Sequence, residues 1–109
     1  MNVSELIQAS GLKSLTLPSP EREVSGAYCG DLLSWVMGRA GEDNVWITIM
    51  SNSNIVAVAT LADVSCIILA EGVTPDSGVA ETAQAKGVNI LQSDDGVYEI
   101  AKLLASLGL

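Results

Sequence analysis

The sequence predicts an α/β fold: a single three-layer α/β/α domain around a mostly parallel four-stranded sheet. Three observations carry that expectation. Short apolar runs rich in Val and Ile recur at Val45–Met50, Ser65–Ala70 and Val88–Gln92, as strands buried on both faces require. Segments between and around them open on Asn, Ser, Asp or Pro and close on Gly, the punctuation of helices. The length of 109 residues, with 49% apolar and 17% charged side chains, suits one packed domain rather than a disordered chain.

Taken in order, Val3–Ala9 reads as a short helix, capped near Asn2 or Ser4 and ending at Gly11. "LKSLTL" (Leu12–Leu17) is a short extended piece before Pro18, and "SPERE" (Ser19–Glu23) an exposed turn. Glu23–Tyr28 reads as a strand, weakened by Gly26, which marks a bulge or a close backbone approach. Asp31 stands where an N-cap carboxylate accepts from the first free amides of a helix carrying Leu32, Leu33, Trp35, Val36 and Met37. Gly38 is its expected C-terminal glycine, with Arg39 complementing the helix dipole.

"SNSNIVAVATLADV" (Ser51–Val64) admits two readings. Ile55–Leu61 could be a strand after a Ser-Asn-Ser-Asn hairpin turn. A helix capped by Asn52 or Ser53 instead makes the passage to the strand at Ser65 a parallel crossover, in keeping with the βα alternation of the rest. In the tail, Pro75 and Gly87 bracket a helix, and Ser93 caps a last one with Val97, Ile100, Ala101, Leu104 and Leu107 on one stripe.

Composition excludes several classes of function. Net charge is −8, and the five basic residues, Lys13, Arg22, Arg39, Lys86 and Lys102, are scattered. Nucleic acid and acidic membrane surfaces need clustered cations, so neither is an expected partner. The N-terminus lacks the pattern of a signal peptide, and no stretch reaches the ~20 apolar residues of a membrane span. The expected location is cytoplasmic. There is no histidine, which removes the commonest general base and zinc ligand. Cys29 and Cys66 fall in strand regions and are expected as buried free thiols.

Ligands of open parallel sheets bind beyond the carboxyl ends of the strands. That edge would collect the loops Cys29–Asp31, Ser51–Asn54, Glu71–Asp76 and Gln92–Asp95. Gly26 to Gly30 has the wrong spacing for a phosphate loop, with Asp31 where a lysine would stand. Asp31, Asp76, Asp94 and Asp95 could hold a divalent cation, yet each also sits where a helix start favours a carboxylate. Ser51, Asn52, Ser53 and Asn54 form the one strand-end loop without a carboxylate. If the domain binds an anion, these four residues, with Gly30 permitting close approach, are the expected site.

The blocks "GDLLSWVM" (Gly30–Met37) and "VWITIMSNSNIVAVA" (Val45–Ala59) resemble the DRTGG domain family in its small stand-alone form. The resemblance runs from about Val3 to Leu109, and such domains are similar to the N-terminal domain of HPr kinase/phosphorylase. It implies a three-layer α/β unit, with a helix over Asn54–Ala62. It implies a regulatory or assembly module, found beside CBS domains in larger proteins and helping to form dimers. The catalytic P-loop of HPr kinase lies in a different domain, so no catalytic residue is carried over and an enzyme is not expected. Many relatives have a Gly-Asp-Arg type sequence where this chain has Ser51–Asn54.

The expected function is thus a regulatory module acting through homodimerisation and contact with a signalling or metabolic protein, without cofactor or metal. Trp35 and Met37 are the candidate contact residues, although core packing is the commoner role for such side chains on a helix. The alternative is a sensor of an adenine nucleotide, or another phosphorylated metabolite, at the strand-end loops.

Overall fold

The computed structural model describes all 109 residues. Its elements are α1 (Val3–Ser10), β1 (Lys13–Thr16), β2 (Ala27–Cys29), α2 (Leu33–Arg39), β3 (Val45–Thr48), α3 (Asn54–Ala62), β4 (Cys66–Leu69), α4 (Val79–Lys86), β5 (Ile90–Gln92) and α5 (Val97–Ser106). The sheet has five strands in the order β1-β5-β4-β3-β2. Strands β2 to β5 are parallel, and β1 lies antiparallel against β5.

Alternation along the strands divides the core in two. Trp46, Ile67, Leu69 and Ile90 face α2, α3 and α4, meeting Val36, Ile55, Ala59, Val79 and Ala83. Val45, Ile47, Cys66, Ile68 and Leu91 face α1 and α5, meeting Val3, Leu6, Ile100 and Leu104. The Ile55–Ala62 segment is helical because five of its side chains must bury against the sheet and each other, which a strand of alternating exposure cannot do.

The extra strand corrects the four-strand expectation. "KSLT" is too polar to announce itself, and it pairs only with the far end of the chain. Its register is irregular between Ser14 and Thr16. There the Thr16 hydroxyl donates to Val88 O at 2.8 Å and accepts from Ile90 N at 2.9 Å, standing in for a backbone rung. The buried Asn89 amide bonds Ser19 on both backbone groups and Ser65 O, holding the Pro-containing turn against the sheet.

Several boundaries also move. The strand expected over Glu23–Tyr28 is confined to Ala27–Cys29, because Gly26 turns the chain at φ +73°. Asp31 does not cap α2: its carboxylate reaches across to β3, and Leu32 takes the cap position without a side-chain bond. Gly38 lies inside α2, Pro75 lies before α4, and Gly96 rather than Ser93 opens α5. By contrast α1 has the expected Asn2 cap, reinforced by Glu5 as a capping box, and closes on Gly11 at φ +72°.

Candidate functional site

The topology locates where an α/β sheet can open. The helices after β2, β3 and β4 all lie on one face, whereas the helix after β5 crosses to the other. Crevices form where neighbouring connections diverge in this way, so the switch point lies between β4 and β5. Its two loops are stitched shut: Glu71 N donates to Asp95 O at 2.8 Å, Gly72 N to Ser93 O at 2.9 Å, and the Gln92 amide to Val73 O at 2.8 Å. A Cβ on Gly96 would stand 2.9 Å from Glu71 Oε1. The sequence reading missed this junction, because which face a helix covers is not written in local pattern.

The residues singled out for binding are distributed as follows. Gly30 continues the β2 ladder by donating to Ile47 O at 3.1 Å, and its carbonyl accepts the Trp46 indole N–H at 2.9 Å. Its close neighbour is Tyr28, 3.0 Å from where a Cβ would be. Ser51 donates its hydroxyl to Asp76 Oδ1 at 2.9 Å and accepts from Asp76 N at 2.9 Å. The uncharged loop therefore carries a carboxylate from its neighbour, which its own sequence could not reveal.

At the start of α3 the amides are largely committed. Asn54 N donates to the Asn52 side chain at 2.9 Å, Ile55 N to Asn52 O, and Val56 N to Ser53 O. Ser53 and Asn54 are exposed and Asn52 is half-buried. They make a neutral hydrogen-bonding rim rather than a cradle of backbone amides.

The other chemistry-bearing groups are quiet. Asp31 Oδ1 accepts from the buried Thr48 hydroxyl at 2.8 Å and from Ile49 N at 3.0 Å, pinning the β2 loop to the end of β3. Cys29 is exposed, correcting the expectation of a buried thiol, and no disulfide forms. Partial burial and then the Asp31 charge raise its pKa, so it stays a thiol at neutral pH. Cys66 is buried, and desolvation pushes it up to about 12 against the pull of Ser65 and Arg22. No three His, Cys, Asp or Glu side chains converge to hold a metal ion, and no helix is long and apolar enough to cross a membrane.

Exposed apolar side chains are carried by α2 and its surroundings. Leu32 (58% exposed), Trp35 (51%), Met37 (45%) and Ile49 (44%) come from α2, its approach and the end of β3. They include both candidate contact residues. Leu33 and Val36 are the α2 side chains that turn inward.

Comparison with known proteins agrees with this architecture. The family described as the DRTGG domain matches residues 28–107. No curated protein matches the chain. Among solved structures, the fold is similar to the CBS and DRTGG domains of the regulatory region of Clostridium perfringens pyrophosphatase, solved with its activator diadenosine tetraphosphate. That likeness has a TM-score of 0.70 at 15% identity and covers 94% of this chain. The chain spans 45% of that structure, less than half its length.

Proposed function

The chain belongs to the DRTGG domain family, and on that premise we propose that it is a non-catalytic regulatory module working by self-association and contact with a signalling or metabolic protein. The observation that carries this is the exposed group of Leu32, Trp35, Met37 and Ile49. Large apolar side chains left exposed on one short helix and beside it, in so acidic a chain, are the kind of surface that marks a contact. The absence of histidine and the protonated thiols support a role without chemistry. Sedimentation velocity or light scattering at about 100 μM, well above ordinary micromolar affinities, tests it. A dimer is expected; a strictly monomeric protein overturns the self-association.

A second reading is favoured by one observation, the complex of the pyrophosphatase regulatory region with diadenosine tetraphosphate. Here the chain senses an adenine nucleotide at the carboxyl-end loops, with Gly30, Ser51, Asn52, Ser53 and Asn54 as the contact set. The neutral side-chain donors of that rim suit base and hydroxyl groups. Asp76 against Ser51 disfavours bare phosphate unless a divalent cation bridges. Calorimetry with ATP, AMP and diadenosine tetraphosphate, with and without magnesium, decides: absence of heat and of thermal shift at millimolar nucleotide removes this reading.

A further inference from the structure

The two edges of the sheet are protected very differently. The β1 edge carries Lys13, an irregular register between Ser14 and Thr16, and Pro18 and Pro20 just beyond, all devices that discourage strand addition. The β2 edge, Ala27-Tyr28-Cys29, carries none of them. Gly26 O accepts from Val45 N at 3.0 Å and Gly30 N donates to Ile47 O at 3.1 Å. Backbone groups alternate along a strand, so the N–H and C=O of Ala27 and Cys29 point outward, away from β3.

We propose that β2 pairs antiparallel with β2 of a second copy about a two-fold axis at Tyr28, joining two sheets into one. This rests on the self-association reading above and assigns its interface. Ala27 then faces Cys29 of the second copy, and the two such pairs use all the outward backbone groups, a self-complementary arrangement that closes at two. Charge selects the occupant. From Leu32 through Gly41 there is no carboxylate, and the one charge, Arg39, lies 3.6 Å over the Trp35 ring, so this is a flank on which two chains of charge −8 can meet without carboxylate facing carboxylate. A cationic partner would be drawn to the acidic loops instead. Because β2 is three residues long, the backbone alone makes a weak joint. Helix α2 packs against α3 on one side and is the outermost helix of its layer, so exposed side chains on its face away from α3 are placed to add to the joint.

The register gives a covalent test. Facing residues of such a pair have Cα atoms about 5.5 Å apart, within disulfide reach. Two copies of Cys29 would be offset by two residues along the strand, about 8–9 Å apart and out of reach. Mild oxidation of Ala27→Cys should yield a covalent dimer linked between positions 27 and 29, found by peptide mass mapping. Wild type and Ala27→Cys/Cys29→Ser should yield none. Ala27→Lys, at an exposed position, should keep its circular dichroism while its dimer dissociation constant rises at least tenfold. If wild type is dimeric but Ala27→Cys does not cross-link and Ala27→Lys leaves the dissociation constant unchanged, the edge assignment fails and self-association stands. A monomeric wild type removes both.

Discussion

At the amino end of the sheet two aspartates share one guanidinium, while at the carboxyl end Asp31, Glu71, Asp76, Asp94 and Asp95 have no cation in contact. Arg22 lies 2.8 Å from Asp43 and 3.1 Å from Asp63, and donates to Asp63 O at 2.9 Å. Both aspartates have left-handed backbones, φ +64° and +57°, in the turns that return α2 and α3 to the sheet. Partial burial would lower the Arg22 pKa, but the Asp43 bond and the two carboxylate charges raise it. The carboxyl end uses carboxylates as hydrogen-bond acceptors for neutral groups: Asp31 for Thr48 and Ile49, Asp76 for Ser51. Charge fixes the turns at one end, and loop-to-loop stitching fixes them at the other.

Alkaline titration should separate the two ends most sharply. Cys66 opens β4 at the amino end and titrates near 12 when folded, against about 8.5 when unfolded. Above the unfolded value the unfolded chain releases a proton that the folded chain keeps. The thiol's contribution is therefore undiminished below about pH 8.5 and is lost toward pH 12, at up to about 1.4 kcal/mol per pH unit. Urea denaturation from pH 8 to 11 should show this slope in wild type and a shallower one in Cys66→Ala. Equal slopes would mean that the amino end is wetter than described.

Arg22→Ala should cost about 2 kcal/mol, the lower range for charge-assisted bonds. Solvent screening keeps the cost in that lower range, since the Arg22 and Asp63 side chains are 30% and 56% exposed. Arg22→Lys should recover only part of this, since a single ammonium lacks the fork that serves both aspartates. Asp31→Ala should cost about 1 kcal/mol by leaving the buried Thr48 hydroxyl without its acceptor. Asp76→Asn should stay within about 0.5 kcal/mol, as surface changes do. A larger loss there than at Arg22 would reverse the comparison. Asn54→Asp should shift stability by less than about 1 kcal/mol; under the sensing reading it abolishes nucleotide binding, measured by the same calorimetry.

The parallel core was legible from sequence because its signals are local. Val45–Thr48 and Cys66–Leu69 are unbroken apolar runs, and Asn54–Ala62 follows from the need to connect them. What stayed hidden depends on contacts between distant segments. Strand β1 is polar and takes its identity from β5. Asp31 has the chemistry of a cap, yet Thr48 and Ile49 lie within reach and compete for it successfully. The loop Ser51–Asn54 contains no carboxylate in its own sequence, but Asp76 arrives from a turn 25 residues later. For Trp35 and Met37 the apolar pattern favours core packing over contact, and the structure instead leaves both exposed.

The antiparallel seam between β1 and β5 also sets an order of events during synthesis. The Thr16 hydroxyl waits for Val88 and Ile90, 72 and 74 residues downstream. On a ribosome, β3, β4 and β5 can each dock beside the strand made just before, with the crossover helices between them. The first helix can settle on β3 and β4, but the first strand has no partner until nearly the whole chain has emerged. Because the entropy of closing a loop grows only with the logarithm of its length, the delay adds little to the thermodynamic burden. It makes β1 the last strand of the sheet to lock.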